Sequence, residues 1–173
     1  MSLGVPGQLT SNASPVEVES LVLEKSHAPF GVVLVSDTDG TCRLPDKANV
    51  LTKGASIGVA VGILIKQEPN GLPCNEALAL PIGEGETVYA KEGIAASLLR
   101  TGSIFVKTET AVKRNDAVYY RVEKTDTTTL GAIRNDADAG KAIKLNGAVF
   151  KHGADAGEIV EIALNLNVVQ ESY

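Results

Sequence analysis

The feature that most constrains this chain is a short module that recurs between about residues 84 and 166. Each copy is a turn rich in Gly, Asn or Asp, followed by a short strand that carries Val and Tyr, as in residues 83–89 (GEGETVY) and 113–119 (KRNDAVY). Gly, Asn and Asp tolerate the backbone conformations of tight turns, whereas β-branched and aromatic residues favour strands. Because turns recur so often, the module predicts a β scaffold rather than a helical one.

Alternation of apolar and polar residues predicts further strands on both sides of the module. Residues 16–23 and 158–166 alternate with a period of two, and residues 32–35 and 57–65 form apolar runs. In the last strand the set Val160, Ile162, Leu164 and Leu166 is expected to face the core. Gly62, inside the run 57–65, predicts a bulge or a close backbone approach.

Two hairpins are predicted from turn dipeptides. Thr101-Gly102 separates residues 94–100 from residues 103–108, and Asn146-Gly147 separates residues 141–145 from residues 148–151. No window shows a helical stripe. Short strands at a spacing of roughly 8 to 12 residues are typical of sandwiches and barrels. The predicted fold is all-β: a compact β-barrel or jelly-roll-like sandwich of short antiparallel strands with an extended N-terminal arm.

The first 15 residues differ from the rest of the chain. They are small, polar and turn-prone, and no apolar period runs through them, so on their own they cannot bury enough surface to become ordered. We predict a flexible N-terminal arm at residues 1–15 and a single β domain at residues 16–173. The arm is either a frayed terminus or a segment that becomes ordered on a neighbouring subunit, and residues 1–3 are either native or a cloning remnant.

Charge and hydropathy exclude two classes of partner. The formal net charge is -5, the isoelectric point is about 5.1, and no basic run is present. An acidic chain of this kind is poorly suited to bind nucleic acid or an anionic membrane surface. The most apolar stretch, residues 55–65, is far shorter than the roughly 20 residues of a membrane-spanning helix. We therefore expect a soluble protein with no nucleic-acid or membrane partner.

Residue types that carry catalysis are sparse. His27 and His152 are the only histidines, and both lie in or beside turns with no nucleophile motif around them. Glu84 and Glu86 form a carboxylate pair on a predicted turn, where water would surround both side chains, whereas general acid catalysis requires a buried group of raised pKa. We expect no catalytic residue and no enzymatic activity.

Metal-binding and redox patterns are also incomplete. Asp136, Asp138 and Gly140 resemble the start of a calcium loop, but the oxygen ligands required at the fifth and twelfth positions are missing. Cys42 and Cys74 are the two cysteines, and their spacing fits no zinc or redox motif. Whether they form a disulfide stays open. No metal and no cofactor is predicted.

Several ordered motifs together resemble the structural cement (capsid decoration) proteins of tailed bacteriophages. They are residues 102–108, 111–119, 131–142 and 154–166, and the opening Val5-Pro6-Gly7-Gln8 also fits that family. One departure lies before the Val-Tyr strand, where the family has a small residue followed by Gly-Asp and this chain has Arg114-Asn115-Asp116. Asn115 takes the tight-turn position, and asparagine tolerates the left-handed conformation better than other non-glycine residues.

The resemblance implies a structural protein of the virion that binds the outer surface of a phage capsid and stabilises contacts between major capsid subunits. It also implies residence in the bacterial cytoplasm during assembly. We expect a homo-oligomer, a trimer in preference to a dimer, and contacts to the partner through Val5, Pro6, Gly7 and Gln8 of the arm. The alternative is a small β-type module on a virion or cell surface that binds carbohydrate or a receptor, which would require exposed aromatic residues or a polar pocket.

Overall fold

The computed structural model describes residues 5–10, 16–25, 27–37, 40–50, 59–66, 79–80 and 89–167. Within these ranges it contains twelve strands, the single helical turn α1 (Lys47–Val50) and a 3-10 turn at Asp138–Gly140. In the same ranges no helix is long and apolar enough to cross a membrane. The predicted all-β fold is therefore confirmed. The strands are β1 (Glu17–Leu23), β2 (Ala28–Pro29), β3 (Val33–Ser36), β4 (Thr41–Arg43), β5 (Ala60–Leu64), β6 (Ala79–Leu80), β7 (Tyr89–Ala90), β8 (Ala95–Lys107), β9 (Ala117–Arg121), β10 (Ile133–Arg134), β11 (Ala142–Phe150) and β12 (Ile159–Asn165).

Five strands close into a barrel in the order β1-β4-β3-β5-β8, because β8 also pairs with β1. The β1–β4 pairing is parallel, with Val22 opposite Thr41, and the other four pairings are antiparallel. From β8 the sheet continues outward through β12, β11, β9 and β10. A separate small sheet has the order β2-β7-β6. The predicted β-barrel is thus present, with an extension built on its longest strand.

The predicted hairpin around Thr101-Gly102 is wrong: residues 95–107 form the single strand β8. Residues 95–101 pair with β1, and residues 101–107 pair with β12, so Thr101 lies opposite both Glu17 and Asn165. Gly102 has a φ of 134°, which only glycine adopts readily, at the point where one partner strand gives way to the next. The dipeptide therefore marks a change of partner within one strand and not a reversal of the chain.

The predicted hairpin at Asn146-Gly147 is also wrong, because both predicted strands belong to β11. Between Lys144 and Val149 the register of β11 against β9 shifts, since their partners on β9 are Tyr119 and Ala117. The extra residues of β11 form a bulge that contains Gly147 at a φ of 81°. Turns and bulges use the same left-handed conformation, so the local signal did not distinguish them.

Other local predictions are confirmed. Asn115 has a φ of 68°, and its amide donates to the carbonyl oxygen of Phe150 at 2.8 Å. A Cβ on Gly62 would lie 2.7 Å from the Cβ of Leu98, so β5 and β8 approach each other closely where this glycine was expected to allow it. The first copy of the module, residues 83–89, lies outside the described residues apart from Tyr89 at the start of β7.

Two apolar cores lie on opposite faces of the barrel wall. The smaller core fills the barrel and takes buried side chains from each of its five strands: Leu23, Leu34, Cys42, Leu64 and Leu98. The larger core joins the outer face of β3, β5 and β8 to the inner face of the extension, including the predicted set on β12. Successive strand residues point to opposite faces, so β8 contributes to both cores.

Gly131, in the loop between β9 and β10, fixes the extension against the barrel. Its carbonyl oxygen accepts a hydrogen bond from the amide of Val33 at 2.9 Å, and its own amide donates to Arg121 at 2.8 Å. It has a φ of 78°, and a Cβ there would lie 2.4 Å from the carbonyl oxygen of Val33. Only glycine satisfies both the conformation and the contact.

Candidate functional site

The N-terminal residues predicted to bind a partner form a closed turn. The amide of Gln8 donates to the carbonyl oxygen of Val5 at 3.0 Å, and the amide of Val5 donates to Oε1 of Gln8 at 3.1 Å. Pro6 and Gly7 form the tip, and Val5 is 40% exposed. The turn therefore presents one apolar side chain to solvent.

Gly7 is held between three parts of the same chain. Its amide donates to the carbonyl oxygen of Phe105 at 2.8 Å, and its carbonyl oxygen accepts from the amide of Lys66 at 2.8 Å. It has a φ of 81°, and a Cβ there would lie 2.8 Å from the Cβ of Phe30. Because any larger residue would be strained and displaced, this position requires glycine.

The following residues lie along the edge of β8. The amide of Phe105 donates to Gln8 at 3.0 Å, the amide of Thr10 donates to Ser103 at 3.2 Å, and Leu9 packs against the larger core. These contacts are made within one chain. The contact of this segment with a partner stays a prediction.

A cleft of about 560 Å³ opens beside the N-terminal turn, and we call it the arginine cleft. One wall is mainly apolar and comes from the turn, from the end of β2 and from the residues between β2 and β3. The other wall comes from the end of β8, from β9 and β10 and from their loops, and it carries hydroxyl and charged groups. Its lining residues are Pro6, Pro29, Phe30, Gly31, Val32, Lys107, Thr108, Glu109, Thr110, Arg121, Thr127, Thr128, Thr129, Ala132, Arg134 and Gly157.

Two buried arginines share acidic partners at this cleft. Nη2 of Arg121 lies 2.7 Å from Oε2 of Glu109 and 3.0 Å from Oδ2 of Asp138. Nη1 of Arg134 lies 3.4 Å from the same Glu109 oxygen and 2.8 Å from the same Asp138 oxygen. Asp136 pairs with Arg134 alone, through Nε at 2.6 Å and Nη2 at 2.5 Å. These five residues form one network, which we call the arginine network.

The network favours the charged forms of Asp138 and Arg121. A hydrogen bond from Arg121 holds the pKa of Asp138 below its ordinary value, because the bond favours the ionised carboxylate. The hydrogen bond with Glu109 raises the pKa of Arg121 despite the opposing effect of burial. Buried ions must be paired in this way to offset their lost hydration. Nη1 of Arg121 is nevertheless buried without a hydrogen-bond partner.

Among the described residues, the sequence candidates for chemistry make structural contacts. His27 is exposed and accepts a hydrogen bond from the amide of Glu92 at 3.0 Å, whereas exposed His152 lies 3.5 Å from Glu161. Asp136 and Asp138 face the buried arginines. Among the described residues no group of three or more acidic, cysteine or histidine side chains is placed to hold a metal ion.

The remaining sequence candidates lie partly outside the described residues. Glu84, Glu86 and Cys74 belong to segments that the structure does not describe. Cys42 is a free, buried thiol in the barrel core. Burial, together with the nearby carboxylates of Glu19 and Glu24, raises the pKa of Cys42 to about 12, so the thiol stays protonated at neutral pH.

The sequence analysis named Pro6, which lines the arginine cleft, but it missed the arginine network. Alternation on β9 places Tyr120 inward, as expected for one tyrosine of the pair, and Arg121 outward. The outward position is buried because Glu109 and Asp138 cover it. The available signal was an arginine at the end of each of two apolar strands, with acidic residues in the turns nearby.

Comparisons with known proteins give one family match and one likeness of fold. The family model described as "Structural cement protein (E217 gp24/Pam3 gp6)" matches residues 1–165. A solved structure titled "The capsid of Myoviridae Phage XM1" contains a chain that is 18% identical with a TM-score of 0.65, over 94% of this chain and 90% of that chain. At that identity the likeness shows the fold alone. No curated protein matches this sequence.

Proposed function

This chain belongs to the structural cement protein family, a family of phage capsid components, and we propose that it binds the outer surface of the capsid and fastens neighbouring major capsid subunits. The observation that carries the proposal is the family match, which spans residues 1–165 and therefore includes the N-terminal turn, the barrel and the extension. We expect a barrel that shares a long strand with its extension to behave as one rigid body, and a rigid body can hold two neighbours at a fixed distance.

The test of this function compares phage capsids with and without the protein. Bare capsids are expected to release DNA at a lower temperature, followed by dye fluorescence during heating, and addition of the purified protein is expected to restore the original temperature. Many identical sites on a symmetric shell add their separate contacts, so the shift is expected to grow with occupancy. Equal release temperatures for bare and decorated capsids would rule the function out.

We assign the capsid-facing contact to the N-terminal turn, in line with the exposed position of Val5. Val5→Asp replaces an exposed apolar side chain and leaves the buried Gly7 unchanged, so we expect the same melting temperature and weaker binding to capsids. Val149→Asp is the matched control, because Val149 is exposed to 43% on β11. If both variants bind capsids equally well, the N-terminal turn is not part of the interface with the capsid.

An exposed apolar strip on β1 supports a second contact surface. Val16, Val18 and Val22 share one face and are 41–45% exposed. Apolar side chains in a row on an acidic protein are typical of a surface that another protein covers. A cement protein needs such contacts on more than one side, because it must hold two capsid subunits together.

We propose that the protein acts as a homo-oligomer, with a trimer favoured over a dimer because a trimer suits a threefold position of the shell. It would reside in the bacterial cytoplasm during assembly and on the capsid exterior afterwards, and its role would be non-enzymatic. Light scattering on the purified protein measures the solution mass. A monomeric mass at all accessible concentrations would argue against a preformed oligomer.

A further inference from the structure

The arginine cleft balances three cations against three carboxylates on an acidic protein. Its lining includes Lys107, Arg121 and Arg134 against the single carboxylate of Glu109, whereas the whole chain has a net charge of -5. Asp136 and Asp138 lie behind the lining and contact the arginines, so the three carboxylates equal the three cations in number and leave no net charge. The cleft is therefore unsuited to a polyanion, and a single anionic group would have to be recognised by individual donors.

Two residues of the lining, Lys107 and Arg121, each have a donor that is unpaired among the described residues. Lys107 is exposed at the end of β8, and among the described residues it forms no ion pair. Arg121 is 3% exposed, and its Nη1 has no acceptor although Nε and Nη2 are both bound. A buried donor without an acceptor is unfavourable, and a charge-assisted hydrogen bond donated to an anionic ligand would remove that cost.

The rest of the cleft identifies the ligand class. The wall that holds Pro6 and Phe30 is apolar, whereas the facing wall has the hydroxyl groups of Thr127 and Thr129. An amphipathic cleft of about 560 Å³ fits a short polypeptide segment with one acidic side chain and apolar neighbours. The N-terminal turn forms one rim, so a segment bound here would also contact that turn.

We infer that the arginine cleft receives the carboxylate of an acidic side chain of the major capsid protein, with Lys107 and Arg121 as its donors. This inference rests on the proposed function, because it takes the capsid as the partner. Nη1 of Arg121 is shielded from water, so the carboxylate must displace the groups that cover it. The ion pair then forms in a site with little water, where the attraction between opposite charges is stronger than at an open surface.

The first test measures binding of the purified protein to capsids that lack it, by co-sedimentation. Lys107→Glu places a carboxylate where the partner's carboxylate is expected, and we expect at least a tenfold weaker affinity with an unchanged melting temperature. Lys144→Glu makes the same change at an exposed lysine of β11 outside the cleft lining, and we expect less than a twofold effect.

The second test uses a carbodiimide, which joins a lysine amine directly to a carboxylate in contact with it. In decorated capsids, mass spectrometry is expected to identify Lys107 linked to an Asp or Glu of the major capsid protein. Absence of that link, together with equal binding of both lysine variants, would overturn the inference and leave the function intact. A link from Lys107 to another copy of this chain would overturn the major capsid protein as the partner and identify a second copy of this chain in its place. Failure of the unmodified protein to bind capsids would overturn the function itself.

Discussion

Glu109 is the carboxylate that joins both buried arginines, so its removal is expected to have a large effect on stability. Glu109→Gln leaves Arg121 and Arg134 buried with less compensating charge, and breaking a buried pair typically costs about 3–5 kcal/mol. We expect about 3 kcal/mol, because Asp138 still contacts both arginines. Urea unfolding measures this change in the free energy of unfolding.

The control is the same substitution in an exposed pair. Glu123 lies 3.1 Å from Lys47, and both side chains are more than 40% exposed. Exposed pairs contribute about 0–1 kcal/mol, so Glu123→Gln is expected to be nearly neutral. Equal losses in the two variants would mean that burial does not strengthen the arginine network.

Glu161 makes the free energy of unfolding depend on pH in the acid range, and this part of the dependence can be assigned to one residue. Burial is the largest single effect and raises the pKa of Glu161, but Lys151, Thr10 and His152 together outweigh it and hold the pKa below its ordinary value. The strongest of these lowering effects is the hydrogen bond from Nζ of Lys151 at 2.6 Å. A depressed pKa adds stability above the unfolded-state value of about 4.3, and this stability is lost as the pH falls through the folded-state pKa. We therefore expect Glu161→Gln to destabilise the protein at pH 6.

The measurement is urea unfolding of both proteins between pH 6 and pH 3. The difference in unfolding free energy is expected to narrow steadily below about pH 4.3, because the native glutamate also becomes neutral. A difference that stays constant over this range would show that Glu161 contributes by packing and not by charge.

At the residue scale, the backbone conformation of single residues could be predicted from the sequence better than the burial of their side chains could. The left-handed turn at Asn115 and the close approach at Gly62 depend on local sterics, which neighbouring residues determine. Burial of Arg121 depends on Glu109 and Asp138, which reach it only after three separate segments have folded together. The position of Pro6 at the rim of the arginine cleft likewise depends on Phe30 and on the end of β8.

At the element scale, strand β8 is where local signals and long-range pairing disagree. Its two halves are predicted to form a hairpin, because Thr101-Gly102 is a turn dipeptide. In the structure the first half pairs with β1 and the second half pairs with β12. The same holds for β11, whose halves pair with β9 and β12 around a bulge. The alternation of apolar and polar residues predicts that these segments are strands. It does not predict which strands pair, because strands distant in sequence compete with the nearest strand as partners.

A disulfide can test the pairing of β8 with β12. Ser103 lies opposite Ala163, and its carbonyl oxygen faces Thr10 on the other edge, so the two residues form a non-hydrogen-bonded pair. Such pairs have Cα atoms about 4.5 Å apart, within the range of a disulfide. We expect Ser103→Cys with Ala163→Cys to cross-link under mild oxidation, in a background in which both native cysteines are replaced by alanine.

The matched control moves one cysteine to the next strand. Val149 on β11 lies opposite Ala163 on β12. Its Cα atom is therefore two strand spacings, roughly 9–10 Å, from the Cα atom of Ser103. Ser103→Cys with Val149→Cys is therefore expected to remain reduced, as shown by electrophoresis without reductant. In a hairpin closed at Thr101-Gly102, position 103 would face Arg100, and neither pair would form.

At the scale of the whole molecule, the two cores are coupled through one strand. Leu98 belongs to the core inside the barrel, and Leu99 belongs to the core beneath the extension. Both side chains are fully buried, and they are adjacent on β8. Loss of β8 would open both cores at once, so the barrel and its extension should unfold together.

This coupling predicts the melting behaviour of two neighbouring variants. Leu98→Ala and Leu99→Ala each remove a buried side chain, which typically costs about 2–5 kcal/mol. In a chain of this size each kcal/mol lowers the melting temperature by roughly 2–4 °C. Differential scanning calorimetry is expected to show one transition in the unmodified protein, shifted as a whole by either substitution. If instead the heat absorption divides into two peaks and each variant moves only one of them, the barrel and the extension are independent units, and a rigid link between capsid subunits would have to come from the shell itself.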